Sequence, residues 1–389
     1  MTVHLSSGMR PEWKLLLACS SPGGEAYTRE RVREAVLPAF DWPRLLALAE
    51  DHGVTPLLAR CLNAHCADRI PAIWRDRLQE RSRSQIFFAL SLMAELFRLK
   101  ECFGREGVEV VAFKGPALAV QAFGDGALRQ YSDLDLFLRH RDVLRACRLL
   151  LAHGYETRLP LGDVEAGNVP GQFLFTRSGS PAVVELHTER TMRYVPRPLP
   201  VDAMLARRTS VKLDGLDVPT FSLEDTLVLI SIHGSKHFWD RLMWIADIAA
   251  LARSRPGLDP VAALRFAYEL GAARMLRLGL CLARNLLDAS LPEELAKEAA
   301  SDAVARSLAT RVARRMLADA QSEPGVFERA WFRTRMRGSL FAGVPYLLRL
   351  TLAPTEEDWG LGEAPARSRI SSVVRRPLRL LRKYGIEKH

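Results

Sequence analysis

Val110–Leu138, VVAFKGPALAVQAFGDGALRQYSDLDLFL, contains two apolar runs separated by polar, glycine-bearing sequence. The first run, Val110 to Phe113, stops at Lys114-Gly115-Pro116. An alanine-rich segment follows, then a turn around Gly124-Asp125-Gly126, then Ser132-Asp133-Leu134-Asp135-Leu136-Phe137-Leu138. Apolar residues around the acids, with a polar loop ahead of them, predict a buried strand. Strand side chains alternate between faces, so Asp133 and Asp135 point one way and Leu134 and Leu136 the other. Two carboxylates on one face repel each other and cost stability unless a cation lies between them. The pattern therefore predicts a metal site. A lone D-x-D is common at solvated strand ends. This one follows an apolar strand, Lys-Gly, a short helix and an arginine-bearing loop, in that order.

That ordered set resembles the nucleotidyltransferase superfamily with the DNA polymerase β-like fold. Within it, the chain is similar to the bacterial family usually described as uncharacterised nucleotidyltransferases, whose pattern is a hydrophobic strand, K-G, a helix, an Arg, then D-h-D-h. The AbiEii-type toxins share a similar Lys-Gly and Ser-Asp-h-Asp arrangement. Lys114, Gly115, Arg129, Ser132, Asp133 and Asp135 carry the likeness. It implies an α+β fold: a polymerase β-like nucleotidyltransferase core with a small mixed sheet and helices on one face, flanked by N-terminal helices and a C-terminal helical domain. The expected divisions are 1–105 helical, 106–220 core, 221–365 helical and 366–389 a basic tail.

Lys114, at the end of a strand expected over Val108–Phe113, would carry a positive charge into the site. Gly115 would let the backbone approach a ligand closely, and Pro116 suits a helix start. PAVVELHT, Pro181 to Thr188, reads as another strand with Glu185 and His187 on one face. The likeness makes Glu185 the third carboxylate, with His187 orienting it or touching substrate.

Ser222 and Asp225 resemble a capping box opening a helix. Along it, His233, Lys236, His237, Trp239, Arg241, Trp244 and Asp247 follow the family's H-x-x-K-H-x-W-x-R-L-x-W-x-x-D-I run almost residue for residue. His233 and His237 share a face if Gly234 leaves the helix unbroken. The likeness implies a helix facing the nucleotide, with His233 among the nucleotide-binding residues, Lys236 neutralising a phosphate and Asp247 orienting a base or holding Arg241. The bland alternative is a helix buried by its tryptophans. His52 matches a family histidine before a bend, and reads as helix-terminal without a catalytic role.

Trp42 to Leu62, broken near Gly53 and Pro56, and Ile70 to Glu106 show helical periodicity. Arg141 to Gly154 reads as a helix packed on the sheet, Asp163 to Gln172 as a surface loop. Ala262 to Leu287 and Pro292 to Ala320 read as a helical bundle. Trp331 to Leu352 is apolar but broken by glycine and proline, and Pro354 to Trp359 is a turn or loop segment.

The chain has 389 residues, 48% hydrophobic and 26% charged, the balance of a globular protein with a sizeable core. No apolar run is long enough to span a bilayer, and the N-terminus lacks a secretion signal, so the cytoplasm is the expectation. Six scattered cysteines form no C-x-x-C pair and no disulfide framework. Cys102, Cys147 and Cys281 read as buried small hydrophobes. A net charge of +10, densest between Arg367 and Lys388, favours an acidic partner: a nucleotide, nucleic acid or anionic surface.

The implied chemistry is two-metal nucleotidyl transfer from an NTP, ATP being the expected one, to a hydroxyl acceptor the sequence does not name. Asp133, Asp135 and Glu185 would hold Mg²⁺ or Mn²⁺. Lys114, helped by Lys236 or Arg129, would offset phosphate charge. Gly115 and Ser132 would border the nucleotide, with His187, His237, Arg241 and Asp247 behind. The alternatives are an RNA-modifying, toxin-like transferase, a γ-phosphate kinase, and a nucleotide-binding scaffold without turnover.

Overall fold

The two apolar runs of the deciding stretch form adjacent strands. Val111–Ala112 (β1) pairs antiparallel with Asp133–Phe137 (β2), Val111 opposite Phe137 and Ala112 opposite Leu136. This computed structural model describes residues 9–22, 25–36, 40–159, 161–166, 171–189, 197–253, 257–318 and 324–337. Five further strands complete the sheet: Tyr155–Glu156 (β3), Gln172–Arg177 (β4), Val183–His187 (β5), Thr209–Leu213 (β6) and Leu216–Thr220 (β7). The spatial order is β3-β4-β5-β2-β1-β7-β6. β5 runs parallel to β2, and β7 parallel to β1, within an otherwise antiparallel sheet. The fold is thus α+β, with a mixed sheet of seven strands.

β1 is shorter than the expected Val108–Phe113. Val108 N–H donates to Phe103 O, closing the end of the preceding helix, so the extended segment begins later. β6 and β7 lie in a region for which no element is predicted. Asp214-Gly215 joins them, both with positive φ (47° and 78°), as a two-residue hairpin turn of this kind requires.

Strand alternation divides the sheet. Leu134, Leu136, Val184, Leu186, Phe173 and Phe175 are buried together on one face. They pack with residues of the long helix Ala72–Arg105 and of Val143–Ala152. Val111, Phe113 and Phe137 project to the other face and join a larger core that includes helices from both ends of the chain. Both faces are therefore covered, not one. The expectation fails because the N-terminal and C-terminal helices share this second core instead of standing apart from the sheet.

In chain order the helices are Pro11–Ser20 (α1), Glu25–Ala35 (α2), Trp42–Asp51 (α3), Thr55–His65 (α4), Ala72–Arg105 (α5), Gly115–Phe123 (α6), Val143–Ala152 (α7) and Leu161–Glu165 (α8). Val201–Ala206 (α9), Leu223–Lys236 (α10), Leu242–Ala252 (α11), Pro260–Glu269 (α12), Ala273–Leu287 (α13), Glu293–Ser301 (α14), Ala303–Met316 (α15) and Val326–Met336 (α16) follow. Caps set their limits: Ser222 Oγ accepts from Asp225 N–H, and the Asp259 and Asp302 carboxylates cap α12 and α15. α8 occupies part of the expected loop between Asp163 and Gln172; residues 167–170 are outside the described residues. So are most of Trp331–Leu352, all of Pro354–Trp359 and the basic tail. Cys147 and Cys281 are buried as expected, whereas Cys102 is half-buried with its Sγ 3.6 Å from the His153 ring nitrogens. Among the described residues, no helix is long and apolar enough to cross a membrane.

Gly234 does not break α10. A Cβ there would lie 2.6 Å from the Trp239 ring, and one at Gly279 on α13 would lie 2.9 Å from it. The two glycines form a slot for the indole. Phe238 and Trp239 have left-handed backbone, φ 58° and 55°, at the turn into α11, and Trp239 fills the slot.

Candidate active site

Parallel pairing in register builds the acidic cluster. Asp135 on β2 lies opposite Glu185 on β5, and Phe137 opposite His187. The pleat turns Asp135, Glu185 and His187 to the face away from the leucines. Their ligand atoms all lie within 4.8 Å of one another. Asp133 shares that face but is outside this tight set; His187 takes the place expected for it. Two carboxylates and an imidazole suit a divalent cation, with the oxygens fitting Mg²⁺ or Mn²⁺ and the nitrogen suiting Mn²⁺ better. The donor set therefore fits the metal that the family resemblance implies.

Asp135 is 3% exposed and its Oδ1 is shared: Lys114 Nζ donates to it at 2.9 Å and His187 Nε2 approaches at 2.5 Å. Burial opposes the ionised Asp135, but Lys114 and His187 outweigh it and hold the carboxyl far below the usual range. In return, Asp135 raises the His187 imidazole despite its burial. Glu185 Oε2 accepts from Gln172 Nε2 at 2.7 Å and lies 3.3 Å from His187 Nε2. Asp133 behaves oppositely to Asp135. Burial and the neighbouring Asp135 charge raise it to about 6, against the attraction of Lys114.

Lys114 lies two residues beyond β1 and is the N-cap position of α6. Gly115 has φ 56°, and a Cβ there would meet Asp133 O at an ordinary 3.5 Å. Backbone conformation, not crowding, is what calls for glycine.

A cavity of about 770 Å³ opens beside these groups. It is lined by Lys114, Arg129, Ser132, Asp133, Asp135, His233 and Arg241 among the expected residues. Gly115, Glu185, His187, Lys236, His237 and Asp247 are not among its lining residues. His233 and His237 stack 4.7 Å apart, each 5.2 Å from the Trp244 ring. Burial drives both imidazoles down, His237 to about 3.

Asp247 holds Arg129, not Arg241. Arg129 Nε lies 3.0 Å from both Asp247 oxygens, in a pair with side chains 4% and 0% exposed. Arg241 lies six residues before Asp247, on a different side of the helical turn, and stays exposed on the cavity. His52 is buried. Its Nδ1 accepts from Leu242 N–H at 3.2 Å and its carbonyl from Met243 N–H, tying α3 to α11.

The opposite cavity wall comes from residues the sequence reading left out: Glu50, Thr55, Arg81, Ser84, Gln85 and Phe88. Arg81, Ser84, Gln85 and Phe88 follow helical i, i+3, i+4, i+7 spacing. A stripe of mixed polarity at that spacing was the available signal.

Asp133, Asp135 and the Lys114 ammonium line a cavity within the usual size of small-molecule sites, with Glu185 and His187 beside Asp135, and together they define a class of site suited to a divalent cation and phosphate oxygens. The family model described as "Uncharacterised nucleotidyltransferase" matches residues 38–288, and the chain belongs to that family. No curated relative and no solved structure matches. Membership supports nucleotidyl transfer as the general activity and a nucleotide as substrate.

Proposed function

We propose that this chain, on a polymerase β-like core, moves a nucleoside monophosphate from an NTP, ATP being the first choice, to a hydroxyl acceptor. The observation that carries this reading is the convergence of Asp135, Glu185 and His187 from two strands onto one face, beside Lys114 and a cavity. Asp133, Asp135 and Glu185 would hold Mg²⁺ or Mn²⁺, with His187 as a further ligand. Bound divalent metal would make the acceptor hydroxyl more acidic and stabilise both the attacking and leaving oxygens. Lys114 offsets charge on the phosphates, and Ser132 and Gly115 border the same turn. In the reaction the acceptor oxygen bonds to the α-phosphorus, the bond to the bridging oxygen breaks, pyrophosphate leaves and the hydroxyl proton passes to solvent. Arg129, tied by Asp247, positions the loop leading into β2.

The cavity wall mixes Glu50 and Glu80 with Arg81 and Arg241. A nucleic-acid strand calls for a run of phosphate-neutralising cations. The mixed lining supports a compact acceptor over RNA.

ATP labelled at its α- or γ-phosphate, Mg²⁺ or Mn²⁺, and pools of hydroxyl metabolites or RNA ends test the reading. Pyrophosphate release with transfer of the α-label is the expected result, and Asp135→Asn should reduce it by on the order of 10²–10³-fold or more. An active Asp135→Asn, or a nucleoside diphosphate as product, overturns it.

A further inference from the structure

Lys114 and a divalent cation have the same carboxylate to bind. Asp135 is buried, and its Oδ1 already receives Lys114 Nζ at 2.9 Å as well as His187 Nε2. The same carboxylate belongs to the convergent set with Glu185 and His187. The Lys114 side chain is 12% exposed and borders the cavity, so its flexible stem has space into which to turn. A cation drawn to Oδ1 competes with the ammonium there, and one held through the other carboxylate oxygen is still repelled by the Lys114 charge a few ångströms away.

We infer that Lys114 is an exchangeable counter-ion: it occupies Asp135 until nucleotide phosphates draw it into the cavity, and its departure opens Asp135 to the metal. The inference rests on the metal-site reading above and adds a direction to it. Two ligands joined by one swinging charge must help each other bind, by the same factor in both directions. Triphosphate offers Lys114 a new anion, and metal offers Asp135 a new cation, so neither charge is left unpaired in a partly buried site. Asp133 feels the Lys114 charge, but the hydrogen bond to be exchanged is the one to Asp135.

Mn²⁺ binding to the full chain tests this by calorimetry and by the loss of free Mn²⁺ signal in electron paramagnetic resonance. Inorganic triphosphate is the second probe, since it is independent of base, with correction for Mn²⁺ that it chelates in solution. On the wild-type chain, triphosphate should tighten Mn²⁺ by a factor within the roughly 5- to 150-fold range of coupled sites. Lys114→Met should bind Mn²⁺ alone about tenfold more tightly than wild type and lose most of the triphosphate enhancement. Lys114→Arg, which keeps the charge, should retain a measurable enhancement. Melting curves establish that each variant is folded, and Lys114→Gln replaces the methionine variant if that one is not. Equal or weaker Mn²⁺ binding by the folded uncharged variant, or an unchanged enhancement, overturns the exchange while leaving the metal site standing. Failure of every form to bind Mn²⁺, with or without triphosphate, overturns both.

Discussion

The acid corner of β2 and β5 and the ring cluster of α10 and α11 both place histidines out of water, with opposite electrostatic results. His187 meets the Asp135 carboxylate at 2.5 Å and is pushed towards its charged form. His233 and His237 meet each other and Trp244, and burial holds both neutral. Desolvation acts on all three; an anion in hydrogen-bond reach decides the sign. A histidine in a family motif therefore does not announce its chemistry. The strand gives its histidine an anion, while the helix surrounds its histidines with rings, even though His233 borders the cavity. Between the regions runs one buried strut, Arg129 to Asp247.

Cutting that strut should have the largest effect on the comparison. Asp247→Ala leaves the Arg129 guanidinium buried without its anion, and a loss of roughly 3–5 kcal/mol is expected in denaturant melts. Arg129→Met together with Asp247→Leu should recover most of it. Gly234→Ala tests the packed region alone. Its methyl would sit 2.6 Å from the Trp239 ring, so roughly 1–3 kcal/mol of overpacking cost should appear in the same melts.

The acid corner should respond in the other direction. Asp133 is raised to about 6, so its charge is a burden to the folded chain above that pH. Asp133→Asn should abolish transfer yet raise stability by roughly 1 kcal/mol at pH 7 to 8. The gain should fade as pH falls below 6 towards the ordinary carboxyl value, where both states are protonated. The smallest effect belongs to the rings. His237 is lowered to about 3 and His52 to about 4, so the unfolded chain binds more protons below its ordinary histidine value near 6.5. Their contribution is complete above that value and is lost progressively as pH falls from it towards the folded values of about 3 and 4. His237→Gln should flatten part of the decline in melting temperature between pH 7 and 5.

Local pattern made the strands at Asp133 and Glu185 legible, because a period of two fixes which side chains travel together. Ser222 could be read as a cap for the same reason, its partner lying three residues away. What joins distant segments was harder to read. Arg129 and Asp247 are 118 residues apart, and nothing in either neighbourhood names the other. Asp135, Glu185 and His187 meet because β2 and β5 pair in parallel register; the family likeness suggested neighbouring strands, and neither it nor periodicity gave their direction. Arg81, Ser84 and Gln85 carry only a weak signal, since polar residues on a long amphipathic helix ordinarily face solvent, and it takes a cavity to make them a wall. The β6–β7 hairpin is different: Asp214-Gly215 between apolar runs is a local signal, and it was there to be read.

The ladder between β2 and β5 also works as a reading frame. A slip of one residue along β5 would exchange Glu185 and His187 for Val184 and Leu186, laying a hydrocarbon floor where the donors now stand. A single deletion inside VVELH should therefore silence the site without touching an acid of β2.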